Sequence, residues 1–326
     1  MRYPSHDIYE LCVAAAKNAG ANSEMAKSLS KAIVDAQEQG QDALGIRHFF
    51  DYLNAIKAHR IHGQAEPTVE KRTAAVFVAD AAHGIPHVAF DRVFDDFARA
   101  AKEVGVAVFS QKDSYTCGAL GYFTTRLAAA GLVGIMVANS TAHMAVGGSS
   151  VAVLGTNPLS FAVPAGEGHP PLSFDQASSQ TALVNVREAA RRHASIPAGW
   201  AVDGNGEPTT DAESALLGAL LPFGGYKGGN IALMVELLAT MSGASWSLDA
   251  GFFDHGPKGP DIGMLVIAMD PDAFEPAYSS RVAAHLEQLR SEYGVRLPGD
   301  LRETNKAGTC EVDPEVYARL ASQAVS

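Results

Sequence analysis

Ala74-Ala-Val-Phe-Val78 is a short run of apolar and β-branched residues, typical of a buried strand. Residues 88–104 follow it with apolar residues at helical spacing, and Val106-Ala-Val-Phe109 is a second strand-like run. A further helical pattern covers residues 119–130, and Val133 to Val137 is a third apolar run. This alternation of strands and helices predicts an α/β fold.

Both ends of the chain are predicted to be helical. Residues 5 to about 60 contain amphipathic patterns with apolar residues three and four apart, and residues 279–293 show another. A short helix is expected after Asp313-Pro314. The predicted division is an N-terminal helical region at 1–70, a central α/β domain at 71–275 and a C-terminal helical region at 276–326 that packs on the first.

The composition is that of an acidic globular protein. Of 326 residues, 47% are hydrophobic and 19% are charged, which excludes wholesale disorder. The net charge of −11 disfavours nucleic acid or an anionic membrane as a partner. The apolar run from Leu127 to Ala138 is shorter than the about 20 residues that span a bilayer. Three cysteines without a CxxC pair, and no apolar leader after Met1, predict a soluble cytoplasmic protein.

Several common site patterns are missing from the sequence. No G-x-G-x-x-G follows a predicted strand, and Gly118-Ala-Leu-Gly121 has only part of that spacing, so a standard Rossmann cofactor site is not supported. There is no Walker A segment, no H-E-x-x-H and no G-x-S-x-G. The eleven histidines are scattered, and His59 and His62 lack further ligands at metal-binding spacing, so no metal site is predicted.

Pro222-Phe-Gly-Gly-Tyr-Lys-Gly-Gly229 opens a helical pattern that covers residues 229–241. Glycines let the backbone approach a ligand closely, and the free amides at a helix N-terminus point toward an anion. Lys227 adds a positive charge, so a phosphate or a carboxylate is the expected occupant. The alternative is a flexible turn with a solvated lysine.

Three further segments have both a structural and a functional interpretation. Gly155-Thr-Asn-Pro158 is a turn former that either shapes a loop or lines a site. Asp175 either orients a ribose or a protonated group, or caps a helix beginning near residue 176, and the residue types favour the cap. The arginines of residues 187–192 form either a solvated helix face, which is favoured, or a site for the extra phosphate of NADP. Cys117 has no base nearby in sequence, which disfavours a nucleophilic role.

Seven motifs, taken in order along nearly the whole chain, resemble those of the type-2 malate/L-lactate dehydrogenases, which lack a Rossmann fold. The motifs are Val137-Ala-Asn-Ser140, Leu154-Gly-Thr-Asn-Pro-Leu159, Phe174-Asp-Gln-Ala-Ser-Ser179, Ile196-Pro-Ala-Gly-Trp200, Gly206-Glu-Pro-Thr-Thr210, Leu221-Pro-Phe-Gly-Gly-Tyr-Lys-Gly228 and Arg296-Leu-Pro-Gly-Asp300. The sixth motif and Met234-Val-Glu-Leu-Leu238 look most similar to the Δ1-piperideine-2-carboxylate/Δ1-pyrroline-2-carboxylate reductase branch.

The resemblance implies a non-Rossmann α/β cofactor domain beside a helical domain built from both chain ends. It also implies a homodimer with its active site near the subunit interface, and transfer of hydride from NADPH or NADH to a carbon next to a carboxylate. NADPH is the favoured cofactor. The cofactor contacts that the resemblance places on this chain are Asn139, Gly155, Thr156, Asn157, Asp175, Ala177, Ser178, Ser179, Gly225, Lys227, Gly228, Arg296 and Gly299.

The catalytic pattern of this family does not carry over. The family has Ser-His-Gly with an Arg three positions after the Gly, whereas this chain has Ala43-Leu-Gly45 followed by Ile46, Arg47 and His48. Leu44 therefore stands at the proton-donating His, His48 stands at the carboxylate-binding Arg, and Arg47 is one position early. The family's Ser-x-His-x-Gly reads Ser114-Tyr-Thr-Cys-Gly118 here, which puts Thr116 at the His.

The missing acid has a chemical consequence. Reduction of a ketone forms an alkoxide that needs a proton donor, and Leu44 supplies none. Reduction of a protonated C=N bond gives a neutral amine directly, so these residues favour a cyclic imine or imino acid. Thr116 would hydrogen-bond the substrate, Asp175 would offset its charge, and His48 or Arg47 would hold a carboxylate. The predicted catalytic residues are Thr116, Asp175 and His48, and the predicted substrate-binding residues are Leu44, Arg47, His48, Ser114 and Cys117.

Two alternatives stay open at this point. One is a 2-hydroxy acid dehydrogenase that acts on a C=O/CH–OH substrate with other groups. The other is a catalytically inactive homologue that binds a dinucleotide. The intact Gly-Thr-Asn-Pro and Gly-Tyr-Lys-Gly segments indicate that cofactor binding is retained, but they do not separate an enzyme from an inactive relative.

Overall fold

The computed structural model describes residues 1–166, 169–298 and 308–325. The described helices are α1 (Ser5–Asn18), α2 (Ser23–Glu38), α3 (Ile46–Lys57), α4 (His87–Val104), α5 (Gly121–Ala129), α6 (Leu183–Arg191), α7 (Ala212–Leu216), α8 (Tyr226–Ala239), α9 (Tyr278–Ser291) and α10 (Pro314–Ala324). The described strands are β1 (Arg2–Pro4), β2 (Thr68–Lys71), β3 (Val76–Asp80), β4 (Val106–Ser114), β5 (Val133–Ala138), β6 (Leu159–Val163), β7 (Leu172–Gln176), β8 (Ala201–Val202), β9 (Pro208–Thr209), β10 (Ala219–Leu220), β11 (Ile262–Met269) and β12 (Thr309–Glu311).

Seven strands form the central sheet in the order β2-β3-β4-β11-β5-β6-β7. β3 and β4 pair in parallel, and every other neighbouring pair of these strands is antiparallel. Val266 in the central strand β11 faces Phe109 of β4 on one side and Met136 of β5 on the other. A Rossmann sheet is mostly parallel, so this topology confirms the predicted non-Rossmann α/β fold.

Helices cover both faces of the sheet. α4 and α5 pack on one face, where the Phe90 ring meets Phe109 and Phe123 edge-on at 5.5 and 5.0 Å between centroids. Such aromatic pairs add stability beyond the area that they bury. α8 packs on the other face, with Val235 buried against the strands β5 and β11. The apolar strands predicted from the sequence are thus the middle layer of a three-layer arrangement.

The two ends of the chain meet in the helical layer beside the sheet. β1 pairs with β12, which places Tyr3 opposite Cys310, and the Tyr3 ring stacks on Tyr317 at 4.0 Å. α10 packs against α1, and the Asp313 carboxylate caps α10 by accepting the Glu315 amide at 2.8 Å. This confirms the short helix predicted after Asp313-Pro314. α9 packs elsewhere, through Leu286 against Ala165 and Leu297, and the predicted domain boundaries stay predictions.

Three element boundaries differ from those predicted from the sequence. The first predicted strand begins at Val76 rather than Ala74, and β4 runs on to Ser114. α8 begins at Tyr226, three residues before the predicted start, and so contains Gly228 and Gly229. Glycine disfavours helix interiors, which is why the pattern pointed to a later start.

None of the helices in the described ranges is both long and apolar enough to span a bilayer. Over the same ranges, no three His, Cys, Asp or Glu side chains converge as a metal site. Cys12, Cys117 and Cys310 are all buried and free.

Candidate active site

The glycine corner before α8 has the geometry of an anion site. Gly224 and Gly225 adopt φ values of +55° and +64°, in the left-handed region that favours glycine, and the helix begins directly after them. A Cβ at Gly228 would overlap the carbonyl oxygen of Phe223, whereas one at Gly225 would meet open space. Lys227 is exposed, and its ammonium has no hydrogen bond or ion pair within the described part of the chain. The corner therefore fits a phosphate held by helix amides and one free cation.

Hydrogen bonds from backbone amides connect the predicted cofactor segments to this corner. The Ser140 hydroxyl accepts the Thr156 amide at 3.1 Å, and the Thr156 carbonyl accepts the Ser178 amide at 2.7 Å. The Ser178 carbonyl in turn accepts the Phe223 amide at 3.0 Å. Gly155 lies beside these hydrogen bonds, where an added Cβ would overlap atoms of Ser140 and Asn157. Segments far apart in the sequence thus form one surface.

A buried carboxylate holds this surface on α8. Glu236 accepts the side-chain amide of Asn157 at 2.9 Å, and both the backbone amide and the hydroxyl of Ser247 at 2.6 Å. Asn157 also donates to the carbonyl of Ala232 at 2.9 Å. Asn157 is fully buried with φ +35°, so its side chain shapes the loop from inside.

The other predicted cofactor residues differ in burial and in hydrogen bonding. The Asn139 side chain is used inside the protein, since it accepts the Gly263 amide and donates to the Ser245 carbonyl, both at 2.8 Å. Ser179 donates to the Thr181 carbonyl at 2.6 Å, and Ala177 is half-buried beside it. Arg296 is exposed after α9. Gly299 lies outside the described residues.

His48, Tyr52 and Thr116 come together where α3 meets the end of β4. The Tyr52 hydroxyl donates to the Thr116 carbonyl at 2.8 Å, and the Thr116 hydroxyl lies 3.4 Å from the same phenol oxygen. The His48 ring packs edge-on against Tyr52 at 4.9 Å, and its Nδ1 lies 3.0 Å from the carboxylate of Asp51. This bond fixes the imidazole and points Nε2 away from Asp51.

Asp175 is connected to this group through the segment that follows Thr116. Its carboxylate accepts the backbone amide of Gly121 at 3.0 Å, at the start of α5. Asp175 therefore does bond to a helix N-terminus, but that helix is α5 and not one beginning near residue 176. The side chain of Cys117, the residue after Thr116, is buried. Burial, and to a smaller extent the charge of Asp175, raises the pKa of the Cys117 thiol to about 12. Cys117 is thus a neutral thiol at physiological pH.

Three predicted substrate residues lie apart from this group. The Ser114 hydroxyl donates to the carbonyl of Ile262 at 3.2 Å inside the sheet. Arg47 is exposed and pairs with Asp42 at 3.0 Å. Leu44 is half-buried in the turn before α3. Tyr52 was missed as a site residue, although its position four residues after His48 places both on one helix face.

His87 was also missed, and it lies beside Cys117. Its ring stacks on Phe123 at 5.2 Å and bonds to the backbone of Cys117, while Nδ1 is buried with no partner in the described ranges. Burial is the main cause that lowers the pKa of His87 to about 4, so the ring is neutral at pH 7.

We expect His87 to make the fold acid-sensitive. The unfolded chain binds a proton near pH 6.5 and the folded chain only near pH 4, so stability is lost as the pH falls through this window. Urea unfolding at pH 7 and pH 4.5 should show a loss that is roughly 2–3 kcal/mol larger in the wild type than in His87→Phe. Equal losses in the two proteins would contradict the assignment.

A cavity lies along the edge strand β7. It has a volume of about 530 Å³ and lies between α2, α5, α9 and the start of β7. Ser173 and Pro298, which belong to two of the predicted cofactor motifs or border them, line it together with Arg126 and Arg290. Ser173 is two residues from Asp175, so both side chains lie on one face of the strand.

The sequence profile described as malate/L-lactate dehydrogenase matches residues 4–321. The chain belongs to this family. Among its relatives is the (2R)-3-sulfolactate dehydrogenase (NADP(+)) of Chromohalobacter salexigens, 33% identical over 97% of this chain and 96% of that protein. The Δ1-pyrroline-2-carboxylate reductase of Ancylobacter novellus is 32% identical over 96% and 95%. The crystal structure of Δ1-piperideine-2-carboxylate reductase from Pseudomonas syringae superposes with a TM-score of 0.93 at 31% identity, covering 99% of both chains.

These comparisons confirm the family predicted from the seven motifs, and with it an NAD(P)-dependent oxidoreductase of the malate/L-lactate dehydrogenase family. The relatives carry two kinds of name, since some are Δ1-pyrroline-2-carboxylate reductases and others are sulfolactate dehydrogenases. The roles of individual site residues stay predictions.

Proposed function

We propose that this enzyme is an NADPH-dependent reductase of the C=N bond in a cyclic imino acid. The observation that carries the proposal is the group formed by His48, Tyr52 and Thr116, in which the two positions where the family has a histidine are Thr116 and, outside the group, Leu44. The likeness to the Pseudomonas syringae reductase supports the same substrate class.

The glycine corner fits the cofactor's phosphates, because its amides and Lys227 offer charge without competing partners. The cavity along β7 would receive the adenosine half of the same molecule, since it borders Ser173 and Pro298. Bound NADPH supplies a hydride. The residues of the chain then have three tasks: to hold the substrate carboxylate, to orient the C=N bond and to stabilise its positive charge.

We assign these tasks to His48, Thr116 and Asp175. In its protonated form, His48 donates from Nε2 to the substrate carboxylate, with Asp51 holding the ring. The Thr116 hydroxyl accepts the N–H of the protonated C=N bond, and the Asp175 carboxylate stabilises its charge. Hydride addition to the carbon moves the π electrons to nitrogen, and the product is a neutral amine that needs no acid at the position of Leu44.

A 2-hydroxy acid dehydrogenase is the second candidate, because the Chromohalobacter relative is named as a sulfolactate dehydrogenase. Purified enzyme with NADPH or NADH should be tested against cyclic imino acids and 2-oxo acids by loss of reduced-cofactor absorbance. We expect turnover of the imino acids, with NADPH preferred. Turnover of 2-oxo acids alone would overturn the proposal, and tight cofactor binding without any turnover would indicate an inactive homologue.

His48→Phe tests the carboxylate contact. We expect the KM for a cyclic imino acid to rise about 10- to 100-fold, because a charge-assisted hydrogen bond contributes about 1.5–3 kcal/mol. The kcat should change little, since the bond is present before and after hydride transfer. Arg47→Met is the matched control and should leave the KM unchanged. A fall in kcat at constant KM would instead assign His48 to the chemical step.

The exposed face of α8 supports a homodimer. Leu233, Met234 and Leu237 of α8, and Met241 just after its end, recur three and four residues apart and are between 45% and 68% exposed. A contiguous apolar stripe of this kind marks a protein interface. We expect light scattering to give the mass of two chains, and Leu237→Asp to give one. A monomeric wild type would contradict this surface assignment.

The three free cysteines support a reducing, cytoplasmic location.

A further inference from the structure

Tyr52 is the most deeply buried member of the group that it forms with His48 and Thr116. Its side chain is fully buried, with the His48 ring edge-on at 4.9 Å and the Tyr115 ring edge-on at 5.4 Å between centroids. Gly118 leaves room for the phenol, since a Cβ added there would lie 3.2 Å from the Tyr52 hydroxyl oxygen. Thr116 is only half-buried. Tyr52 can therefore affect a substrate through Thr116 rather than by touching it.

The two hydrogen bonds between Tyr52 and Thr116 run in opposite directions. A backbone carbonyl only accepts, so the phenol has to donate its single hydrogen in the 2.8 Å bond to the Thr116 carbonyl. Burial is the main cause that raises the pKa of Tyr52 well above its usual value, and the phenol keeps this hydrogen at neutral pH. The longer contact of 3.4 Å then has the Thr116 hydroxyl as donor and the phenol oxygen as acceptor.

This arrangement leaves the Thr116 hydroxyl with lone pairs and no spare hydrogen. A hydroxyl has one hydrogen and two acceptor lone pairs, and the hydrogen is directed at Tyr52. A protonated C=N bond presents an N–H and needs an acceptor, whereas the oxygen of a C=O bond needs a donor. When a cationic N–H donates to Thr116, it polarises the hydroxyl and strengthens the bond to Tyr52 in turn. The pair therefore favours an iminium over a ketone.

We propose that Tyr52 is a specificity-determining residue that acts through Thr116. By accepting the hydrogen of the Thr116 hydroxyl, it makes this hydroxyl an acceptor that selects a protonated C=N bond over a C=O bond. This inference rests on the proposed function, and it makes Tyr52 a positioning residue rather than a catalytic one.

Reduction of a cyclic imino acid, with a 2-oxo acid as competitor, tests the inference. For Tyr52→Phe we expect the KM of the imino acid to rise about tenfold, the effect of one net hydrogen bond. The kcat should change little, because the nitrogen loses its charge during hydride transfer and its hydrogen bond is strongest in the bound substrate. The inhibition constant of the 2-oxo acid should stay the same or fall, since the freed Thr116 hydroxyl can donate to its carbonyl oxygen.

Tyr115→Phe is the matched control. Tyr115 is also buried, and its hydroxyl donates to the Phe253 carbonyl at 2.7 Å, so this variant likewise loses one hydrogen bond to a backbone carbonyl. It keeps the bond between Tyr52 and Thr116. We therefore expect wild-type values for both the KM of the imino acid and the inhibition constant of the 2-oxo acid.

Substitutions of Thr116 show whether Tyr52 acts through this residue. Thr116→Val removes the acceptor and should raise the KM of the imino acid about as much as Tyr52→Phe, and the two changes together should raise it no further. Thr116→Ser keeps the hydroxyl and should keep the KM of the wild type. This pair of variants tests the acceptor even if Tyr52→Phe does not fold.

The outcomes separate this inference from the proposed function. An unchanged KM in Tyr52→Phe, or an equal rise in the KM and in the inhibition constant of the 2-oxo acid, would overturn the inference alone. So would a Tyr52→Phe effect that persists in the Thr116→Val background. A wild type that reduces no cyclic imino acid would overturn the proposed function, and this inference with it.

Discussion

Replacing Gly228 with alanine is expected to weaken NADPH binding about 30- to 100-fold. The new Cβ would overlap the carbonyl oxygen of Phe223, which is rigid backbone and not a flexible side chain. The Phe223 amide is itself bound to Ser178, so the turn at Gly224 and Gly225 has to move instead. Loss of charge-assisted bonds to a phosphate corresponds to about 2–3 kcal/mol.

The neighbouring glycine provides the matched control. A Cβ at Gly229 would lie 3.5 Å from Val146, an ordinary contact, and alanine is a better helix former than glycine. We therefore expect Gly229→Ala to keep its NADPH affinity and to unfold at the same temperature as the wild type or a higher one. Binding should be measured by fluorescence titration. An unchanged NADPH dissociation constant for Gly228→Ala would show that the glycine corner is not part of the cofactor site.

Glu236→Leu is expected to destabilise the fold by about 3–5 kcal/mol. The carboxylate of Glu236 accepts three hydrogen bonds in the interior, from Asn157 and from the amide and hydroxyl of Ser247. Leucine would leave these buried donors without an acceptor, and each unsatisfied group costs about 1–3 kcal/mol. Urea unfolding measures the loss directly.

Glu236→Gln separates hydrogen bonding from packing in this network. Glutamine keeps one acceptor oxygen in the same volume, so it should lose less stability than leucine does. We also expect Glu236→Leu to weaken cofactor binding, because Asn157 anchors the loop that carries Gly155 and Thr156. A leucine variant as stable as the wild type would show that the network contributes nothing to the fold.

The helices and central strands were predictable because their signals are local. The periodicity of residues 88–104 and the apolar run of β5 each fit one short window. The strands β6 and β7 were not located from the sequence, since each has only five residues and β7, at the edge of the sheet, is only partly buried. Their pairing depends on contacts that no local pattern encodes.

Part of the candidate site was likewise predictable from local sequence, and part was not. The glycine corner was predicted from consecutive residues, because a helix N-terminus and Lys227 lie in one segment. The contact between Tyr52 and Thr116 joins residues 64 positions apart, and the bond from Gly121 to Asp175 spans 54. Such pairs are set by tertiary packing. The sequence therefore named Thr116 and Asp175 but not the tyrosine and the glycine amide that hold them.

Deuteride transfer tests the central claim most directly. NADPH labelled with deuterium at both hydrogen positions of nicotinamide C4 is incubated with the enzyme and a cyclic imino acid or, in parallel, a 2-oxo acid, and the products are analysed by mass spectrometry and NMR. The account predicts one deuterium at the ring carbon that bears the carboxylate. An unlabelled amino acid, or deuterium found solely in the hydroxy acid formed from a 2-oxo acid, would contradict it.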